Sequence, residues 1–71
     1  MQNLTEIEKE YLTFIEHFIK IHGYPPSIRD IANSLYVSKT TAHRHLTTLV
    51  DKEYLRYTPK IARSYTLKER T

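Results

Sequence analysis

Apolar residues recur along this chain at helical spacing in three runs, and then at strand spacing in a fourth. In the first, Ile7, Tyr11, Phe14, Ile15 and Phe18 follow at steps of four, three, one and three. At 3.6 residues per turn they share one broad face. This predicts a helix over residues 5–22. Thr5 and Glu8 stand at capping-box spacing at its start. Gly23, the only glycine, suits the left-handed position that ends it. Glu6, Glu8, Glu10 and Glu16 are read as lying off the stripe, facing solvent or a protein partner. Tyr24-Pro25-Pro26 cannot continue a helix. Ser27 then caps a second, shorter helix over residues 28–35, with Asp30 three residues on and Ile28, Ile31, Ala32 and Leu35 facing inward.

The third run organises the rest. Ser38 is a good N-cap for a helix over residues 39–52, and Ala42, Leu46, Leu49 and Val50 give it one apolar side. The opposite side carries Thr40, Thr41, Arg44, Thr47 and Thr48, with His43 and His45 on the flanks and no acid before Asp51. A short helix, the corner Tyr36-Val37-Ser38 and a longer polar-faced helix form a helix-turn-helix pattern. Val37 is expected to point inward. Tyr36 stands where such corners often carry glycine, and a tyrosine at positive φ is strained. Beyond Lys52, two alternating β-prone runs around Pro59 predict a hairpin over residues 54–67, anchored by Tyr54, Leu55, Tyr65 and Leu67. Arg56, Lys60 and Arg63 make this hairpin basic, and residues 68–71 read as a frayed tail. The expected fold is mainly α with a small β-hairpin: one winged helix-turn-helix domain over residues 1–71.

Composition narrows the setting. No cysteine is present, which removes disulfides and thiolate metal sites and fits a reducing cytoplasm. No apolar run approaches the roughly 20 residues that span a bilayer, and no signal-peptide layout opens the chain. The net charge of +3 is unevenly placed. Residues 1–37 hold three lysines and arginines against five acids, and residues 38–71 hold eight against three. The positive half contains the polar-faced helix, so a polyanion is the expected partner of that half.

The run from Leu4 to Leu55 is similar to the N-terminal DNA-binding domain of LexA-type SOS repressors. The resemblance rests on Leu4-Thr5, on Gly23-Tyr24-Pro25-Pro26 followed by Ser27, on Asp30-Ile31-Ala32 with Leu35, and on His45-Leu46 with Leu49. It covers about residues 4–67, and Gly-x-Pro-Pro before an Ile-Ala helix is its most specific part. It implies that the third helix enters the major groove of double-stranded DNA. It also implies base-edge contacts from Ser38, Thr40, Thr41, His43 and Arg44, while the wing reaches the backbone or minor groove. Two departures stand out. Glu53 sits where winged helices commonly place glycine, and the chain ends at Thr71, so the family's self-cleaving domain with its Ser-Lys dyad and main dimer contacts is not carried over.

The residues themselves support a contact list. Arg44 can bind guanine O6 and N7 bidentately, or a phosphate. Thr40, Thr41 and Thr48 can meet thymine methyls or phosphates, or serve only as exposed threonines. Lys39, Lys60, Arg63 and the helix start at Ser27 are phosphate candidates, since free N–H groups at helix starts attract anions. His43 and His45 are two apart and point about 200° from each other, which argues against a shared metal. No metal or other cofactor is expected, and no triad, carboxylate cleft or phosphate-binding glycine loop points to an enzyme or a small-molecule substrate. The leading reading is sequence-specific duplex binding by a transcriptional repressor, either as a homodimer on a palindrome or with a larger protein partner. The alternative is an accessory DNA-binding or docking subunit of a mobile-element replication or recombination complex that contacts single-stranded DNA.

Overall fold

The computed structural model describes residues 4–60 and 65–68. Within them the chain forms α1 (Glu6–His22), α2 (Ile28–Ser34), α3 (Lys39–Asp51), β1 (Leu55–Arg56) and β2 (Thr66–Leu67). The strands pair antiparallel, with Leu55 opposite Leu67 and Arg56 opposite Thr66. Three helices and this two-stranded sheet make the mainly α, winged helix-turn-helix fold that the pattern of apolar positions predicts. The hairpin tip with Arg63, and the tail from Glu69, lie outside the described residues.

Local chemistry explains where each helix starts. Thr5 Oγ1 accepts from the Glu8 N–H at 3.1 Å while Glu8 Oε1 accepts from the Thr5 N–H at 2.9 Å. Ser27 and Asp30 repeat this reciprocal arrangement at 3.1 Å in each direction. Each box satisfies two donors that the first helical turn leaves free. At α3 the Ser38 hydroxyl accepts from the Thr41 N–H at 3.1 Å, and Thr41 fills the place the acids take in the other two caps.

The ends follow a second rule. Gly23 closes α1 at φ 81°, with its N–H donating to the Ile19 carbonyl at 2.8 Å. Tyr36 closes α2 at φ 57°, and the next N–H, of Val37, donates to the Ala32 carbonyl at 3.0 Å. Glu53 closes α3 at φ 67°, with the Glu53 and Tyr54 N–H groups donating to the Val50 and Leu49 carbonyls, both at 3.0 Å. All three helices therefore stop on a left-handed residue, and two of them do so without glycine. For an L-residue carrying a Cβ, that conformation costs roughly 1–2 kcal/mol.

Tyr11 and Ile15 of α1, Ile31 and Ala32 of α2, and Ala42, Leu46 and Leu49 of α3 meet with Leu55 and Tyr65 of the hairpin in one core. Leu35 and Val37 pack against it from the α2–α3 corner, as expected for Val37. Three expectations are corrected here. Ile7 was read onto the buried face, yet it is 49% exposed. Glu8 was read as facing solvent, yet it is buried. The buried stripe is centred on Glu8, Tyr11 and Ile15, at steps of three and four, and Ile7 lies one position round the helix at its edge. Leu67 was expected to anchor the hairpin, but it is 38% exposed: it shares a face with Leu55 and Tyr65, which fill the core, and lies at the edge of that face. Phe14 and Phe18 are half-buried rather than central, with Phe18 in a ring cluster with Phe14, His22 and Tyr24.

The buried Glu8 carboxylate has a partner across the fold. Lys52 Nζ at the end of α3 donates to Glu8 Oε1 at 2.7 Å, ending a chain of contacts that starts at the Thr5 cap. The Lys52 ammonium, with the Thr5 N–H behind it, holds the Glu8 carboxyl below its usual value of 4.5 against the opposing effect of burial. A carboxyl depressed in the folded state stabilises the fold above its unfolded value, and that contribution is lost as pH falls through the folded value. The acid limb of stability below about pH 4.5 is therefore expected to be flatter in Glu8→Gln than in the native chain, measured by urea unfolding across pH. Lys52→Met leaves the carboxylate buried and unpaired, so at pH 7 it is expected to cost about 3 kcal/mol, more than Glu8→Gln. Equal acid limbs in the two proteins would remove the pair from the stability argument. By contrast, Glu53→Gly relieves the left-handed strain, and the ion pair to Lys68 that it gives up is exposed. It is expected to raise unfolding stability by about 1 kcal/mol, seen as a higher denaturant midpoint.

Candidate nucleic-acid interface

Burial of Ala42, Leu46 and Leu49 fixes how α3 is rotated about its axis. The side turned away from the core then presents Thr40, His43, Arg44 and Thr47, all exposed and at steps of three, one and three. Lys39 is exposed at the helix start, and the acidic Asp51 comes one turn after Thr47 on the same side. The surface thus changes sign along a 13-residue helix of roughly 20 Å. Its first turns offer a guanidinium, an imidazole, hydroxyls and an ammonium, and its end offers a carboxylate. The two histidines part as their spacing requires. His43 faces outward, while His45 is half-buried with its ring 5.1 Å from that of Tyr11.

Several hydroxyls are already committed. Ser38 Oγ accepts from the Thr41 N–H and donates to Thr41 Oγ1 at 3.0 Å, so the two residues form one unit at the helix start. Thr48 is half-buried, and its hydroxyl donates to the Arg44 carbonyl at 3.1 Å. Ser27 is half-buried within its capping box beside the Asp30 carboxylate. Thr40 and Thr47 are the exposed threonines of the stripe. Thr47 was left off the contact list. It follows His43 by four and Arg44 by three, and that spacing was the available signal.

The start of α3 also differs electrostatically from the other two. Glu6 and Glu8 lie in the first turn of α1 and Asp30 in that of α2, but the first turn of α3 holds no acid. The partial positive charge of its unpaired N–H groups is left uncancelled. Lys52, formally part of the basic half, is drawn inward to Glu8 and does not add to this surface. Beneath the stripe the Tyr11 hydroxyl is buried without a hydrogen-bond partner among the described residues. Burial pushes this phenol up, and the Arg44 guanidinium acts in the opposite direction.

On the hairpin side, Arg56 and Lys60 are exposed, and Lys60 adopts φ 69° where the strand turns. The Tyr57 ring stacks on Tyr65, with centroids 4.7 Å apart and planes 20° from parallel, so the hairpin is braced against the core by an aromatic pair. Among the described residues, no helix is long and apolar enough to cross a membrane.

The model of the LexA DNA-binding domain family matches residues 1–64. The chain is 41% identical over 70 residues to a LexA repressor of Thermosipho melanesiensis, covering 99% of this chain and 35% of that protein. A LexA repressor of Geobacter metallireducens is 41% identical over 68 residues, which is 94% of this chain and 34% of the relative. One from Thermotoga petrophila is 44% identical over 55 residues, or 78% of this chain and 28% of the relative. The chain spans about a third of the length of the first two.

Proposed function

The chain belongs to the LexA DNA-binding domain family, and on that premise we propose that it binds double-stranded DNA sequence-specifically and serves transcriptional repression in a bacterial cytoplasm. In this reading the first turns of α3 enter the major groove. Arg44 reads a guanine edge, Thr40, Thr41 and His43 meet neighbouring base edges, and Thr47 joins them deeper along the helix. Lys39 and Lys60 bind phosphates on either side of the groove, with Arg63 continuing the basic wing. Ser27, Ser38 and Thr48 keep the helix starts and the contact face in shape, with any phosphate contact secondary to that role. The protein acts by binding and not by catalysis.

The observation that carries this reading is the uncovered stripe of Thr40, His43, Arg44 and Thr47, cationic and hydroxylic where it starts and acidic only at Asp51. A helix that met the groove along its whole length would set the Asp51 carboxylate against phosphates. Entry by the N-terminal half avoids that repulsion. A module this small makes few contacts, so two copies on a palindromic site supply the remaining affinity.

Selection of bound sequences from a random duplex pool tests the proposal directly. A defined motif is expected, and no enrichment at low salt would overturn it. Arg44→Ala is expected to relax preference at one base position, with a loss of about 1–3 kcal/mol of discrimination there. Lys60→Ala is expected to weaken all duplexes alike and to flatten the dependence of log K on log salt by about one unit.

A further inference from the structure

Between Asp30 and Asp51 the chain holds no carboxylate, and Lys39 and Arg44 are cations within that stretch. The stretch is longer than α3. It also takes in the end of α2 and the corner, where Asn33, Ser34 and Tyr36 are exposed just ahead of Ser38 and Lys39. The acid-free surface of α3 therefore runs on past the helix start and over the corner. Its exposed side chains there end in an amide, hydroxyls, a phenol and an ammonium, groups that meet phosphate and sugar oxygens in protein–DNA contacts.

Tyr36 is the residue of this corner that the fold explains least. Its side chain is 94% exposed and its backbone sits at φ 57°. Among the described residues it makes no hydrogen bond, ion pair or ring contact. A glycine would close α2 there without strain and would give up little packing. Such an outlier is a reason to look for a contact outside the molecule. The neighbouring Leu35 lines the groove that carries Glu6 and Glu10 beside α1, but Tyr36 is not part of that wall. It belongs to the acid-free side of the corner.

Its place selects the kind of contact. Consecutive Cα atoms are about 3.8 Å apart, so Tyr36 lies within roughly 8 Å of the Ser38 cap. A helix with its side chains, about 10–12 Å across, fills a major groove about 12 Å wide. A side chain just outside the helix start then meets the wall of the groove, which is phosphate and sugar, and not its floor of base edges. The end of α2 and the start of α3 bring opposite partial charges to this corner, which offset each other, so the contact belongs to side chains. We propose that Tyr36 binds the DNA backbone beside the groove that α3 enters. The phenol hydroxyl donates to a phosphate oxygen, the ring covers the adjoining deoxyribose, and Asn33 and Ser34 extend the contact. This rests on the duplex reading above and adds to it a line of uncharged backbone contacts, separate from the wing.

Tyr36→Phe tests the hydroxyl alone, because it keeps the ring and the backbone conformation. Its denaturant midpoint is expected to match that of the native chain. Affinity is measured for the full chain, across salt, on the duplex that the native chain selects and on an unrelated duplex. Tyr36→Phe is expected to weaken both by about tenfold and to select the same motif. The slope of log K against log salt is expected to stay unchanged, because a neutral phenol releases no counterion, whereas loss of a lysine contact flattens it. Ethylation of single phosphates locates the contact: one phosphate whose ethylation weakens the native chain is expected to leave Tyr36→Phe unaffected. Tyr36→Gly, which relieves strain, is expected to remain folded and to lose at least as much affinity. Equal affinity of the native chain and Tyr36→Phe for the selected duplex overturns the proposal and leaves duplex binding by α3 standing. A loss confined to one base position of the motif also overturns it and makes Tyr36 a base reader. A native chain that binds no duplex removes both readings together.

Discussion

The angle at which α3 is held about its own axis is the constraint on which the rest depends. A turn of 100° would replace Thr40, His43 and Arg44 on the surface with their neighbours. Two attachments of different kinds prevent it. Ala42, Leu46 and Leu49 lock one side into the core shared with Tyr11, Ile15, Ile31 and Leu55. At the far end Lys52 is tied to Glu8 of α1 at 2.7 Å. Apolar burial alone is tolerant of small rotations, because it is non-directional. The ion pair has a direction, and it lies at the end opposite the exposed first turns. The helix is thus fixed from below and behind while its first turns remain open.

The same pair shows why sequence pattern reached the fold but missed part of its support. Caps and breakers act within four residues, so Thr5, Ser27, Ser38, Gly23 and Pro25-Pro26 declare the helices locally. The buried stripe of α1 is declared by spacing as well, but apolar spacing does not mark Glu8, which occupies that stripe three residues before Tyr11. A carboxylate can be buried there only because Lys52, forty-four positions away, arrives to meet it. Nothing at short range marks that partnership. Ile7 was misplaced for the complementary reason: its hydrophobicity was visible, but its position at the edge of the stripe was not.

The candidate interface divides along a similar line. The polar stripe on α3 follows from helical periodicity, and so does the outward place of His43 and the inward place of His45. Which hydroxyls are free does not. Thr40 and Thr48 are the same residue on the same general side, yet Thr48 spends its proton on the Arg44 carbonyl while Thr40 remains exposed. Side-chain hydroxyls compete for backbone acceptors in ways that depend on rotamer and burial, which residue type does not reveal. Tyr36 and Glu53 are a further case. Both positions were legible as places where glycine is usual, but the structure shows that the backbone keeps the glycine conformation and lets the side chain bear the strain.

Charge placement links capping to recognition. An acid three residues after the cap is the common way to satisfy a helix start, and α1 and α2 both use it, with Glu8 and Asp30. The same device on α3 would set a carboxylate beside the turn proposed to approach phosphates. Thr41 stands there instead, sharing its hydroxyl with Ser38 at 3.0 Å, so the start is capped without negative charge. The concentration of acids in the first half of the chain and of bases in the second is therefore more than a difference in composition. Acids appear at the two helix starts that serve only the fold, and none stands at the start of α3, the one proposed to face a polyanion.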